Sequence, residues 1–136
     1  MSQTTGTKVR QIMVPSPKMV DGLATVQEAI ELMRRDGVSS LVIDHRHKGD
    51  EYGIIVVADI AEKVIGRNRS PARTNVYEIM TKPVLTLDAE MDIKYAVRLL
   101  SRFELSRALV TEGGNLAGIV TLRDMVLYEA PEGAGE

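Results

Sequence analysis

The chain has 136 residues, enough for one compact domain or two small units that share a core, and its 44% hydrophobic and 26% charged residues are ordinary for a globular protein. With 17 basic against 19 acidic residues the formal charge is −2, so no whole-molecule field draws in polyanions or acidic membranes, and any anion site must be local. The absence of Cys excludes disulfides, thiol catalysis and Cys-ligated zinc, and with no Trp and a single Phe there is little surface on which unpaired bases could stack.

In chain order, Ser2 to Lys8 is polar and lacks the apolar core of a signal peptide, and no run nears the roughly 18 apolar residues of a membrane span, so a cytoplasmic location with no membrane contact is expected. A first strand follows Ile12-Met13. Next, Val26, Ala29, Ile30 and Met33 stand at i, i+3, i+4 and i+7, which predicts a helix opened by the capping-box pair Thr25 and Glu28 and ended by Gly37. Leu41 to Ile43 and Ile54 to Val57 read as buried strands around a polar hairpin, His45 to Glu51, and a closing helix is expected to start near Asp59.

The second half repeats this order. Laid on itself at one offset, the chain puts Val9 on Val76, Ile12-Met13 on Ile79-Met80, Ala29 on Ala96, Leu32 on Leu99 and Ser39 on Ser106. The offset then shortens within the hairpin, after which Gly53-Ile54 falls on Gly118-Ile119 and Asp59 on Asp124. The second helix carries Ile93, Ala96, Val97 and Leu100 behind Asp92, the next strands are Ala108 to Val110 and Ile119 to Leu122, and the last helix starts near Asp124. The expected fold class is α/β of the α+β type: two pseudo-symmetric β-α-β-β-α repeats at 8–66 and 76–129, a linker at 67–75 and a frayed tail at 130–136. Halves of this size are marginal alone, so face-to-face packing about a pseudo-two-fold axis, with a cleft between them, is expected.

This pattern resembles the cystathionine-β-synthase (CBS) domain family, as a tandem pair or Bateman module, from about Lys8 to Glu129. Its carriers are Ile12-Met13 and Ile79-Met80, and the segments Gly118-Ile119-Val120-Thr121-Leu122-Arg123-Asp124 and Gly53-Ile54-Ile55-Val56-Val57-Ala58-Asp59. The resemblance implies a regulatory module that binds an adenine nucleotide (AMP, ADP or ATP) between its repeats, without catalysis and with no required cofactor. It leaves the choice among these and S-adenosylmethionine open. By the family's motif, Asp124 would hold the ribose and Thr121 the phosphate. The adenine would lie against Val84, Leu105 and Ser106, with Arg107 and the sister repeat's Ser39 nearby. In repeat one Asp59 is in place, but Val56 replaces the hydroxyl residue and Pro17, which has no amide hydrogen, stands where repeat two has Val84. The resemblance also implies a homodimer and an effector protein that the sequence does not identify.

Other readings stand beside this one. Asp59 and Asp124 also suit helix N-caps, in which case the chain would be a ligandless dimerisation or docking module. Arg67, Arg69 and Arg73 invite contact with RNA or DNA, against which the net charge argues, or form a solvated linker. His45 and His47, with Asp44, Asp50 and Glu51, suggest a metal, but no further His completes a ligand set and a solvated hairpin with no metal is expected. Met13 and Met80 read as core fillers. Neither a phosphate-cradling glycine loop nor a Ser nucleophile elbow occurs, so no catalytic residue is assigned.

Overall fold

The computed structural model describes residues 6–44, 47, 50–82 and 85–128. Two compact units divide the chain: one joins the segment up to Pro17 to the segment from Leu85 onward, and the other is the stretch between, beginning at Lys18. The strands are β1 (Val14–Pro15), β2 (Met19–Val20), β3 (Ser40–Ile43), β4 (Gly53–Val56), β5 (Thr86–Asp88), β6 (Arg107–Glu112) and β7 (Asn115–Thr121). The α-helices are α1 (Val26–Asp36), α2 (Val57–Ile60), α3 (Ile93–Arg102) and α4 (Leu122–Leu127).

The unit from Lys18 onward carries the sheet β2-β3-β4, in which β2 runs parallel to β3 through the crossover helix α1, and β3 and β4 form an antiparallel hairpin. The sequence signals act as read: Thr25 and Glu28 make a reciprocal capping box, and Gly37 ends the helix at φ 66°. Val26, Ala29 and Met33 pack with Leu41, Ile43, Ile55, Ile60 and Val64 in one core. The other unit repeats this plan in the order β1-β7-β6-β5, with β5 parallel to β6 through α3, and a core of Leu87, Ala96, Leu100, Ala108, Val110, Val120 and Met125. Asp92 caps α3 by accepting from the Lys94 amide at 2.8 Å.

The segment that leads into each repeat packs in the unit of the other. Val9, in a 3₁₀ turn over Val9–Gln11, is fully buried, its amide bonding the Met91 carbonyl at 2.8 Å. Val76 does the same in a turn over Val76–Glu78, with its amide on the Ala24 carbonyl at 2.8 Å. The glycines of the repeated heptapeptides make these contacts possible. A Cβ at Gly118 would stand 2.7 Å from Met13 Sδ, and one at Gly53 would stand 2.9 Å from Met80 Sδ. Met13 and Met80 therefore each lie against the strand glycine of the opposite repeat.

Candidate functional site

Corresponding turns, from the third strand of each repeat into its closing helix, hold most of the expected site residues. In the unit of repeat two, β6 and β7 pair antiparallel with Arg107 opposite Thr121. Thr121 ends the strand in extended conformation and serves as N-cap of α4, its Oγ1 accepting from the Asp124 amide at 3.0 Å. The Leu122 amide donates to the Ser106 carbonyl at 2.8 Å and so ties the helix start to the start of β6. Leu105, Ser106, Arg107, Thr121 and Asp124 are thereby gathered at one corner, with Leu105 and Ser106 exposed and Arg107, Thr121 and Asp124 half-buried. Among the described residues nothing bonds the Asp124 carboxylate or pairs with the Arg107 guanidinium. Capping occupies a lone pair of the Thr121 hydroxyl and leaves its proton free to be donated.

The closing helices start earlier than expected, at Val57 and Leu122, and the capping position belongs to Val56 and Thr121 rather than to Asp59 and Asp124. Both aspartates sit in the first turn of the helix, so the reading of them as N-caps is corrected. The physical reason in repeat two is that the Thr121 hydroxyl captures the amide of Asp124. In both repeats the carbonyl just before a strand, Ser39 or Ser106, takes the amide of the first helical residue, Val57 at 3.0 Å or Leu122 at 2.8 Å.

The corresponding turn of repeat one is built of different chemistry. Ser40 lies opposite Val56, which makes no side-chain capping bond. The Asp59 carboxylate stands 3.7 Å from Lys63 Nζ, one helical turn on, and Lys63 reaches the Ile79 carbonyl at 3.5 Å. α2 runs directly into a π-helical turn over Ala61–Ile65, closed by the Gly66 amide on the Ala61 carbonyl at 2.7 Å. Ser39 and Asp59 belong to this unit, and Val84 lies outside the described residues. Sequence reasoning missed Lys63 as the neighbour of Asp59, although an acid four residues before a base on one helix was the available signal.

Elsewhere the charges have structural work. Arg69 pairs with Glu78 at 2.7 Å, and Glu78 also accepts from the Asn75 amide at 2.8 Å; the amide first and the guanidinium second hold the Glu78 carboxyl below its usual value. Arg10 bridges Glu90 and Glu112, which raises its own pKa and lowers that of Glu112. His47 is exposed, and among the described residues no cluster of His, Asp and Glu could hold a metal; His45 lies outside them. The unit of repeat one also has an open cleft of about 800 Å³ lined by Met19, Leu23, Ile43, Tyr77 and Met80, at the opposite end of β3 from Ser39. No helix among the described residues is long and apolar enough to cross a membrane.

The CBS domain model matches the chain twice, at residues 9–66 and 76–130. An uncharacterized protein of Methanopyrus kandleri is 33% identical over 106 residues, which are 77% of this chain but 54% of that protein, so the chain spans about half of that relative. The hexameric CBS-CP12 protein from bloom-forming cyanobacteria superposes with a TM-score of 0.84 at 33% identity, covering 89% of this chain and 70% of that one. The CBS domain pair of protein MJ0100, in complex with 5′-methylthioadenosine and S-adenosyl-L-methionine, superposes with a TM-score of 0.76 at 25% identity, covering 90% of this chain and 94% of that one.

Proposed function

From the premise that the chain belongs to the CBS domain family, we propose that it is a cytoplasmic regulatory module that reversibly binds an adenine nucleotide through repeat two, without catalysis. The observation that carries this reading is the half-buried Asp124 carboxylate, unpartnered among the described residues and one turn from the Thr121 hydroxyl. A carboxylate can accept from both hydroxyls of a ribose, in charge-assisted bonds worth about 1.5–3 kcal/mol each. Thr121 still has a proton for a phosphate oxygen, and exposed Leu105 offers an apolar surface to the base. The MJ0100 pair's complex with 5′-methylthioadenosine and S-adenosyl-L-methionine, neither of which carries a phosphate, supports an adenosine-bearing ligand. Thermal melting with AMP, ADP, ATP and S-adenosylmethionine tests it: a ligand at about 100 times its Kd adds about 2.7 kcal/mol of stability, and a flat panel contradicts the reading.

The nucleotide signal would reach an effector protein through the packing of two chains. Support for a homodimer comes from apolar side chains left in solvent, among them Val57 and Ile65 along a groove of about 330 Å³ in one unit, and Val126 and Leu127 on α4 in the other. Sedimentation at micromolar concentration should show a species twice the 15.0 kDa chain mass; a monomer alone contradicts the dimer. The same surfaces favour the second reading, a docking module that takes no ligand, which the flat thermal panel would select.

A further inference from the structure

We infer that two copies of the chain pair head to tail, the helix face of repeat one on each chain meeting the helix face of repeat two on its partner. The inference rests on the homodimer reading above and goes further by naming which surface each copy offers the other. In the unit of repeat one, Ile30, Arg34, Val38, Val57, Ala61 and Ile65 line a groove of about 330 Å³. Laid on repeat two, Asp36, Ala61 and Glu62 fall on Phe103, Val126 and Leu127, which stand 55%, 67% and 59% exposed. The equivalent surface of repeat two therefore carries bulky apolar side chains where repeat one has a small or a charged residue, and ridges of that kind pack into grooves.

Charge divides the two faces in the same way. α3 carries Lys94, Arg98 and Arg102, all exposed, and no acid. None of the three has an ion-pair partner among the described residues; Lys94 and Arg98 lie over the exposed ring of Tyr95, at 5.0 and 5.6 Å from its centre. At the places of Tyr95 and Arg98, α1 has Glu28 and Glu31, both exposed. Arg35, at the place of Arg102, faces Asp36 at 3.4 Å, and Arg34 alone of the groove's described lining is cationic. Two repeat-two faces brought together would set unpaired cations against cations and protruding side chains against each other, and two repeat-one faces would set groove against groove. Repeat one on repeat two instead brings Val126 and Leu127 to the groove and the α3 cations to Glu28 and Glu31, and a two-fold axis makes that contact twice and closes it.

Thiol cross-linking tests the inference on the intact chain, which has no Cys of its own. Ala61→Cys and Val126→Cys each put a single thiol on one face. Each is first melted to confirm folding, and Ile65→Cys or Leu127→Cys replaces a variant that does not melt as wild type. The two variants are co-expressed with different mass tags so that mixed dimers form, and treated with a short bis-maleimide. The mixed cross-linked dimer should exceed that of the same mixture in denaturant by about tenfold or more, because docked thiols meet at roughly millimolar effective concentration. Either variant alone should give no more cross-linked dimer than its denatured control. Self-linked dimers of either variant in yield equal to or above the mixed one overturn the inference and leave the homodimer standing, as does a chain that sediments as a dimer and gives no cross-link. A chain that sediments only as a monomer overturns both.

Discussion

Two turns of one fold, Val56 to Asp59 and Thr121 to Asp124, occupy corresponding places in the repeats and share an aspartate, yet their side chains do opposite things. At Thr121 a hydroxyl closes the helix start and the carboxylate that follows has no partner among the described residues. At Val56 no side chain among the described residues caps the helix, and the carboxylate faces an ammonium 3.7 Å away. A shared aspartate therefore does not make a shared site. What separates the two is whether the protein itself already uses the carboxylate, and repeat one's Lys63 does so.

The sharpest way to break this comparison is to delete each aspartate. Asp124→Ala should weaken AMP about 10- to 100-fold in calorimetry, the loss of one or two charge-assisted bonds, while Asp59→Ala should change it by less than about threefold. Equal losses with both folds intact would erase the distinction between the turns. Next in size are the caps. Thr121→Val removes the acceptor for the Asp124 amide and should cost about 1 kcal/mol in denaturant unfolding, whereas Val56→Thr should supply one to the Asp59 amide and gain about 0.5–1 kcal/mol. No gain from Val56→Thr would mean that the repeat-one turn cannot accept a cap.

A smaller effect is expected from Lys63→Met. The pair it breaks is partly exposed, with side chains at 36% and 21%, so stability should fall by no more than about 1 kcal/mol. In the Val56→Thr background the same change should open a weak second nucleotide site, visible as a stoichiometry above that of wild type. The least effect is on acid stability. Glu78 and Glu112 have carboxyls held below the ordinary 4.5, so what they contribute is present above that value and is lost as pH falls through their lowered folded values. Both are at the surface, and a melting series from neutral to acid pH should show a shallow decline in that range, reduced in Glu112→Gln.

The repeat, the capping box of α1, the Gly37 stop and the apolar helix stripes were legible because each is a local pattern with one physical meaning. The helix starts were misplaced because Val57 and Leu122 are aliphatic residues that extend the strand pattern as well as they open a helix. The decisive signal was Thr121 three residues before an acid, a capping spacing visible in sequence. The exchange of leading segments was not legible. Val9 and Val76 each end in a single 3₁₀ turn, too short for periodicity, and their partners Met91 and Ala24 are distant in sequence. The half-burial of Arg107 with no ion-pair partner among the described residues was equally out of reach, since it depends on which carboxylates the fold leaves near it.

The most direct test of the central claim is a calorimetric count of AMP on the wild-type chain and on Asp124→Ala. The account predicts about one tight nucleotide per chain in wild type and its loss in Asp124→Ala, because among the two turns only Thr121 to Asp124 has both a free carboxylate and a hydroxyl to offer. Two equivalent tight nucleotides per wild-type chain, or a full tight site surviving in Asp124→Ala, would contradict it.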